Sequence, residues 1–482
     1  MTWERGGVAL LALAAIVLFL VAPTYPNYDA YYHLVWGREM LDGELPGFEA
    51  YKAPTQHPLE LVVAAILGVV VGGWADRAIV LISVLSLVLL VWAVFRLGRR
   101  IFGLWPALGG AFFAGSSFSL LLLAARGYVD VPFLALVFWA AVRVVEGEGD
   151  GPERRAWGPA RWLVPPMTVR REAAVMALLV LAGLLRPEAW VLAGLFALWR
   201  RSVPLLLASA IAPVLWALTD LVVTGDPLRS LTGTSELAEE LGRERGIAKV
   251  PGAFVEFVAD ALRLPVAAAA LAGLALAVYR LGWRRLVVPL GLLATGTLAF
   301  VGSGAAGLSI LPRYLTVPVV TLCLFAGYAA LGFTTLERGR LRTLWTYGAC
   351  FIAVAGLAFV AARAHVVTRL TAELAFIDGT HRDLDAIVHA AELRDCRPLS
   401  LPNYRLAPDV RWILDLPEDQ VLARSAYPRG ERPPRGAALF VTGQKSLRRY
   451  GFADGASPST NSPDPGYERG PKRGRFVAYL NC

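Results

Sequence analysis

Charge is scarce in this sequence, and where it is missing is informative. Asp, Glu, Lys and Arg make up 18% of the 482 residues, while 56% are hydrophobic. An ordinary soluble domain carries roughly 25% charged residues. The deficit falls in blocks of roughly 15–22 nearly uncharged residues, enough to cross a hydrocarbon layer about 30 Å thick. A wholly soluble protein is thereby excluded. All such blocks end before residue 362, and from there to Cys482 the chain is polar and rich in Pro, Arg and Asp. The chain divides into a membrane region, 1–362, and a C-terminal soluble domain, 363–482.

Cysteine is scarce as well. Only four are present, with no CxxC and no Cys/His cluster, so nothing argues for a zinc site. Cys323 and Cys350 fall inside apolar segments as small buried hydrophobes. Cys396 and Cys482 bracket the soluble domain and could form a disulfide if that domain lies outside the cell. The net charge of +9 is not gathered in one patch. Much of it sits in short loops between apolar blocks, as the positive-inside rule requires, so nucleic acid is not an expected partner.

Those basic clusters set the expected topology. Arg96/Arg99/Arg100, the stretch from Arg143 to Arg171, Arg200/Arg201, Arg280/Arg284/Arg285 and Arg338/Arg340/Arg342 mark cytoplasmic loops. Apolar segments link them at 77–95, 101–123, 132–145, 172–185, 188–199, 203–222, 262–280, 286–301, 315–336 and 343–361. The first block, Gly7 to Ala22, follows Arg5 with no clear A-x-A cleavage site and reads as an uncleaved helix. The sum is about eleven crossings. An odd count places the N-terminus in the cytoplasm and the C-terminal domain outside the plasma membrane. Pro58 to Gly73 is apolar enough for a helix, but a crossing there would put Arg96 to Arg100 outside. It is expected to lie on, or dip into, the outer leaflet. Segments 172–185 and 188–199 are short for full spans.

The soluble part reads as a small α/β unit. Helical periodicity covers about 382–393 and 409–416, and strand-like runs cover 398–401, 420–423, 437–442 and 475–480. The Pro-, Gly- and Ser-rich stretch 455–474 reads as a long loop. The expected fold class is an all-α polytopic membrane bundle with a small C-terminal α/β extracytoplasmic domain.

The spans are nearly free of charge, and polar residues collect at their outer ends. The first outer loop, 23–57, carries Asp29, with His33 one helical turn on, and closes with Lys52-Ala53-Pro54-Thr55-Gln56-His57-Pro58-Leu59. Further outer turns hold Arg126-Gly127-Tyr128-Val129-Asp130, Arg186-Pro187-Glu188 and Pro312-Arg313-Tyr314. Structural readings exist for each. Asp29 and Asp130 could be helix caps. His33 could belong to an interfacial belt with Tyr28, Tyr31, Tyr32 and Trp36. Arg186 and Glu188 could brace two short helices, although ionisable groups at membrane depth are candidates for function. Arg313 could reach for lipid headgroups. His365, His381 and His389 have no partner pattern and read as surface residues.

In order and placement these pieces resemble the C-type (GT-C) membrane glycosyltransferases, over roughly residues 1–340. That group includes protein O-mannosyltransferases, lipid A aminoarabinose transferases and actinobacterial polyprenyl-phosphate-sugar-dependent transferases. The resemblance implies that Asp29 is the catalytic base, that Asp130 is the second acidic residue, and that Gln56-His57-Pro58-Leu59 matches a Lys-Pro-Pro-Leu-like element. Arg186-Pro187-Glu188 and Arg313-Tyr314 also match family features. The sequence departs from many relatives in having Asp29-Ala30 for Asp-Glu, and Gln56 or His57 for the lysine.

A hexose or pentose on a polyprenyl-phosphate carrier would be attacked by an acceptor hydroxyl, and a carboxylate within reach would take the proton. Arg313, Arg186 or Arg126 would hold the leaving phosphate, with His33, Gln56, Glu188 and Tyr314 beside the substrates. Asp130 and His57 would orient the acceptor. A divalent cation, if used, would fall to Asp29, Asp130 and His57. Direct loss of the lipid phosphate implies inversion. Glycan, lipid and protein are all open as acceptors, and the outer domain is expected to recognise them. The competing function is a membrane transporter or a flippase for lipid or lipid-linked sugar, which would be expected to carry ionisable or unwound sites near the midplane. A third is a non-enzymatic anchor that displays the C-terminal domain.

Overall fold

The computed structural model describes residues 2–146, 167–362, 365–427, 431–432, 434–451 and 458–482. Parts of the expected cytoplasmic stretch 143–171 and of the expected loop 455–474 lie outside those residues.

The membrane region begins with α1 (Thr2–Val21), α2 (Tyr28–Leu41), α3 (Pro58–Val71) and α4 (Ala75–Ile101). Then come α5 (Leu104–Gly115), α6 (Phe118–Ala125), α7 (Asp130–Glu146), α8 (Val169–Gly183) and α9 (Glu188–Arg200). It continues through α10 (Val203–Ser209), α11 (Ile211–Thr224), α12 (Arg229–Glu240), α13 (Val250–Leu262) and α14 (Leu264–Leu281). It closes with α15 (Val287–Ala305), α16 (Thr316–Leu331) and α17 (Arg340–Ala362).

About eleven crossings were expected. Among the described residues, seven runs are long and apolar enough to cross a membrane, or eight if the pair α5 and α6, bent by 55°, is one span. The segments expected at 132–145, 172–185 and 188–199 fold as helices of 17, 15 and 13 residues. The chain is an integral membrane protein.

Helix α16 is the centre of the bundle. It is apolar all round and buried almost throughout, as expected of a helix with no polar face. Small residues let its neighbours approach closely. A Cβ on Gly327 would collide with the backbone of Gly110 in α5, and one on Gly273 of α14 would collide with the carbonyl of Phe325.

Ion pairs mark one end of the bundle. Glu4 of α1 receives Arg96 and Arg99 from the end of α4 at 3.2 and 3.1 Å. Arg96 also pairs with Glu146 at the end of α7. The candidate residues lie at the opposite end. There Arg77, at the start of α4, donates to the carbonyls of Thr24 and Phe19. Helix α3 runs back along α2: a Cβ on Gly37 would lie 2.8–3.0 Å from Ala64 and Ala65. Its start bonds Leu184, where Leu59 N donates to the carbonyl at 3.2 Å. Its end, at Gly68 and Gly72, shares a cavity wall with Asp76 and Trp412. Both ends of α3 thus pack against residues at the candidate-residue end of the bundle.

The polar remainder forms α18 (His365–Val388), α19 (Ala407–Leu414) and five strands: β1 (Leu399–Leu401), β2 (Val421–Ala423), β3 (Gly436–Val441), β4 (Glu468–Arg473) and β5 (Phe476–Asn481). The sheet order is β2-β1-β3-β5-β4, with β2, β1 and β3 parallel and β5 antiparallel to β3 and β4. Leu384, Ile387, Leu399, Val410, Leu439 and Phe476 are among the residues of its core. Cys396 and Cys482, the pair that brackets this unit, form a disulfide.

Strand β4 corrects the expectation of a loop through 474. It is a polar edge strand of sequence ERGPKR, and an edge strand needs neither apolar alternation nor a buried face. Its turn uses Gly474 at φ +48°, where a Cβ would strike the carboxylate of Asp383.

The C-terminal unit rests on α2. Arg411 pairs with Glu39, and Arg38 pairs with Asp415 at 2.8 Å and lies over Trp412. The aromatic residues read as an interfacial belt are instead covered: Tyr31, Tyr32 and Trp36 are all buried.

Candidate active site

Asn27 begins the site. It caps α2, accepting from the amides of Asp29 and Ala30 at 2.8 and 3.3 Å. Its own side-chain amide donates to the carbonyl of Arg126 at 3.0 Å. One short side chain thus joins the α6–α7 turn to the first turn of α2, a usual role for Asn at a cap.

Asp29 projects from that first turn and accepts a 3.0 Å bond from Nη1 of Arg313. Arg313 lies in a single 3-10 turn, Pro312–Leu315, just before α16. Both side chains are partly exposed, at 21% and 30%. They face a cavity of about 670 Å³. Lys52 and Arg126 line it too. Lys52 sits at φ +57° with its carbonyl accepting from the Tyr28 hydroxyl at 2.9 Å. Arg126 is steered by the carbonyls of Tyr25 and Pro26.

Three kinds of surface enclose the space. Leu122 and Leu123 of α6, with Leu237 and Leu241 at α12, make an apolar side. The Asp29–Arg313 pair makes the polar floor. The C-terminal unit supplies the third side through His381, Tyr404, Arg405, Asp409, Arg449 and Tyr450. Lysines and arginines outnumber carboxylates seven to three around the lining, which favours an anionic ligand.

Of the ten candidate residues, Asp29, Arg126, Arg313 and Tyr314 line this cavity, and six do not. Asp130 is fully buried and pairs with Arg186, which also bonds Glu188. The guanidiniums of Arg186 and Arg313 both face the ring of Tyr314, at 5.2 and 6.0 Å from its centroid. Gln56 donates to Asp220 at 3.2 Å, and Asp220 in turn holds the amide and hydroxyl of Ser230. Gln56 therefore anchors α12 rather than facing the main cavity. His33 and His57 stack on each other behind Asp29, with ring centroids 5.1 Å apart.

The candidate ligands for a divalent cation do not converge as expected. Among the described residues, the one group with ligand atoms close enough is His33, His57 and Glu60, within 4.8 Å of one another. Both nitrogens of His33 are in use. Nδ1 donates to the Asp29 carbonyl at 2.7 Å, and Nε2 accepts from the His57 amide at 3.0 Å. Burial pushes the His33 pKa down to about 4 against a smaller opposing effect of Asp29. His57 is held well below its usual range by burial and by nearby His33, Arg313 and Arg186. Asp29 and Asp130 are both engaged by arginine. The expected ligands Asp29, Asp130 and His57 therefore do not come together around one cation.

Two features escaped the reading of the sequence. Lys52, a few residues upstream of Gln56 and His57 and at φ +57°, lines the cavity. His381 is not a surface residue. Its ring lies 4.7 Å from that of Tyr25 and stacks on Tyr31 at 5.8 Å, with Nδ1 3.7 Å from Asp409. Burial opposes its protonation, but Asp409, Asp76 and Asp385 outweigh that and raise its pKa. Helical periodicity over about 382–393 was the nearest signal, and such periodicity does not say what a C-terminal helix will touch. His389 does stay exposed, beside Asp385.

A long helical membrane bundle with a small sheet-bearing C-terminal unit closing over its polar end is a fold that solved membrane proteins share. In particular, the chain shares the fold of ArnT from Cupriavidus metallidurans. The structure of that protein bound to undecaprenyl phosphate superposes with a TM-score of 0.57 at 16% identity, over 99% of this chain and 98% of that one. Its apo state superposes at 0.51 and 15% identity over the same shares. An oligosaccharyltransferase from Archaeoglobus fulgidus, tethered with an acceptor peptide, gives 0.48 at 14% identity, over 100% of this chain and 74% of that one. No protein-family model matches the sequence, and no curated protein matches it.

Proposed function

We propose that the chain transfers a sugar from a polyprenyl-phosphate carrier to an acceptor hydroxyl, inverting the anomeric carbon, on the extracytoplasmic face. One observation carries this reading: the Asp29–Arg313 pair opens into a cavity whose adjoining side is lined with leucine. A lipid-linked sugar phosphate has the matching halves. Its isoprenyl chain suits Leu122, Leu123, Leu237 and Leu241, and its phosphate suits Arg313, Arg126 and Lys52. The undecaprenyl phosphate bound to a protein of the same fold supports the same class of ligand. The disulfide supports an outer location for the C-terminal unit.

The chemistry then follows from position. The acceptor oxygen attacks the anomeric carbon and loses its proton to Asp29, a step worth about 10²–10⁴ in rate. The bond from that carbon to the phosphate oxygen breaks, and its electron pair leaves with the phosphate. Arg313, already fixed by Asp29, faces the charge that develops there. No step calls for a metal.

Binding of undecaprenyl phosphate to the full-length protein in nanodiscs tests the lipid half. Wild type is expected to bind it, and Arg313→Ala to bind at least tenfold more weakly. Equal binding by the two, or none by wild type, overturns the reading. Movement of a labelled polyprenyl-phosphate sugar across vesicles, with no transfer to any acceptor, would replace it with a flippase.

A further inference from the structure

The cavity has two chemically different sides, and the leucine-lined side accounts for one ligand only. We propose that the other side, built from Tyr25 and the C-terminal unit, is a carbohydrate subsite that holds the acceptor as a sugar ring. This rests on the transferase reading and assigns the acceptor class that reading leaves open.

Tyr25 supplies the observation that calls for a ligand. It is 8% exposed and lines the cavity, yet its hydroxyl has no hydrogen-bond partner. Burial, with the charges of Asp409 and Asp378, pushes its ionisation upward, so the group is an O–H donor at neutral pH. A buried donor left without an acceptor costs about 1–3 kcal/mol, and a hydroxyl or ring oxygen arriving in the cavity would remove that cost.

The neighbours complete the match. The His381 ring packs 4.7 Å from the Tyr25 ring. Its Nδ1 lies 3.7 Å from Asp409 and its Nε2 3.4 Å from the hydroxyl of Tyr31. Asp409 lines the same cavity and offers carboxylate oxygens to ligand hydroxyls. Tyr404 and Tyr450 add flat rings beside them. A sugar presents hydroxyls at its edge and C–H groups on its faces. A site with a few converging polar groups among aromatic rings recognises that combination. A lipid tail has no use for the polar groups, and the leucines of α6 and α12 have none to offer a sugar.

The C-terminal unit then does more than cover the site. Asp409 stands on α19 and His381 on α18, so the subsite exists only when that unit is docked on α2.

The test uses full-length protein in nanodiscs containing undecaprenyl phosphate. Saturation-transfer NMR is run with the methyl glycosides of glucose, mannose, galactose and arabinose. At least one is expected to bind wild type. Tyr25→Phe and Asp409→Asn are each expected to weaken it about three- to tenfold, the size of one lost hydrogen bond. Their affinity for undecaprenyl phosphate should stay at the wild-type value, which also shows that they are folded. No binding by any glycoside, or equal binding by wild type and both variants, overturns the subsite. So does binding of a serine- and threonine-containing peptide that both variants leave unchanged. If wild type fails to bind undecaprenyl phosphate, the donor reading falls separately, and the glycoside result still decides the subsite.

Discussion

Two arginine–carboxylate pairs meet at the ring of Tyr314, and of the two only Asp29–Arg313 lines the cavity. Asp29 and Arg313 are partly exposed in the cavity wall. Asp130 and Arg186 are packed away from it, at 0% and 5% exposure, with Glu188 on their margin. The residue types are the same, and both clusters draw on turns at one end of the bundle. What separates them is access. A carboxylate can take a proton from a substrate only where a substrate can come, whereas a sealed pair serves mainly to hold its helices in place.

The sharpest way to break this contrast is Asp29→Asn. Sugar transfer should fall by about 10²–10⁴ with little change in melting temperature, because amide and carboxylate have the same shape. Radiolabelled transfer beside a thermal scan would show it. An equal loss from the sealed cluster with no loss of stability would erase the distinction.

Asp130→Ala should do the opposite. It leaves the buried guanidinium of Arg186 short of a partner, a change that costs about 3–5 kcal/mol. The expected result is a much lower melting temperature in detergent, with any remaining folded protein still able to bind undecaprenyl phosphate.

Acid should also strike the sealed side first. The folded pKa of His33 is about 4, below the ordinary value of about 6.5. Its neutral form is the one the fold accepts. The contribution is fully present above about pH 6.5 and is lost as pH falls toward 4, amounting to about 3 kcal/mol at most. His33→Gln should flatten the fall in melting temperature between pH 6.5 and 4; a slope identical to wild type would count against it.

Asn27→Ala is the mildest change. Loss of a cap costs about 1 kcal/mol, and the turn carrying Arg126 loses a bond to α2. Transfer and undecaprenyl phosphate binding should both weaken severalfold, as read from steady-state rates and from lipid titration of the same protein.

The sequence showed the membrane bundle plainly, because hydropathy and loop charge act locally. It also showed Asp29 and Arg313 as candidates, since charged residues stand out against apolar neighbours. It could not separate the two clusters. Whether Arg186 or Arg313 meets the cavity depends on how α7, α9 and α16 pack. The C-terminal side of the cavity was hidden for the same reason. His381 and Tyr25 lie hundreds of residues apart, and neither has a local pattern that names the other. Strand β4 was missed because an edge strand of polar residues has no hydrophobic rhythm. Lys52 was missed because its left-handed backbone, on a residue other than glycine, has no reliable sequence signal.

The contact between Gly110 and Gly327 works as the pivot of a calliper. One jaw is α5, which continues across its bend into the leucines of α6. The other is α16, with Arg313 in the turn just before its start, about 20 Å along the chain axis from the pivot. With only hydrogen atoms between the two backbones, the pivot has no slack. A single methyl group there would open the jaws, and the gap between the leucines and Arg313 would widen without any change to a residue that touches it.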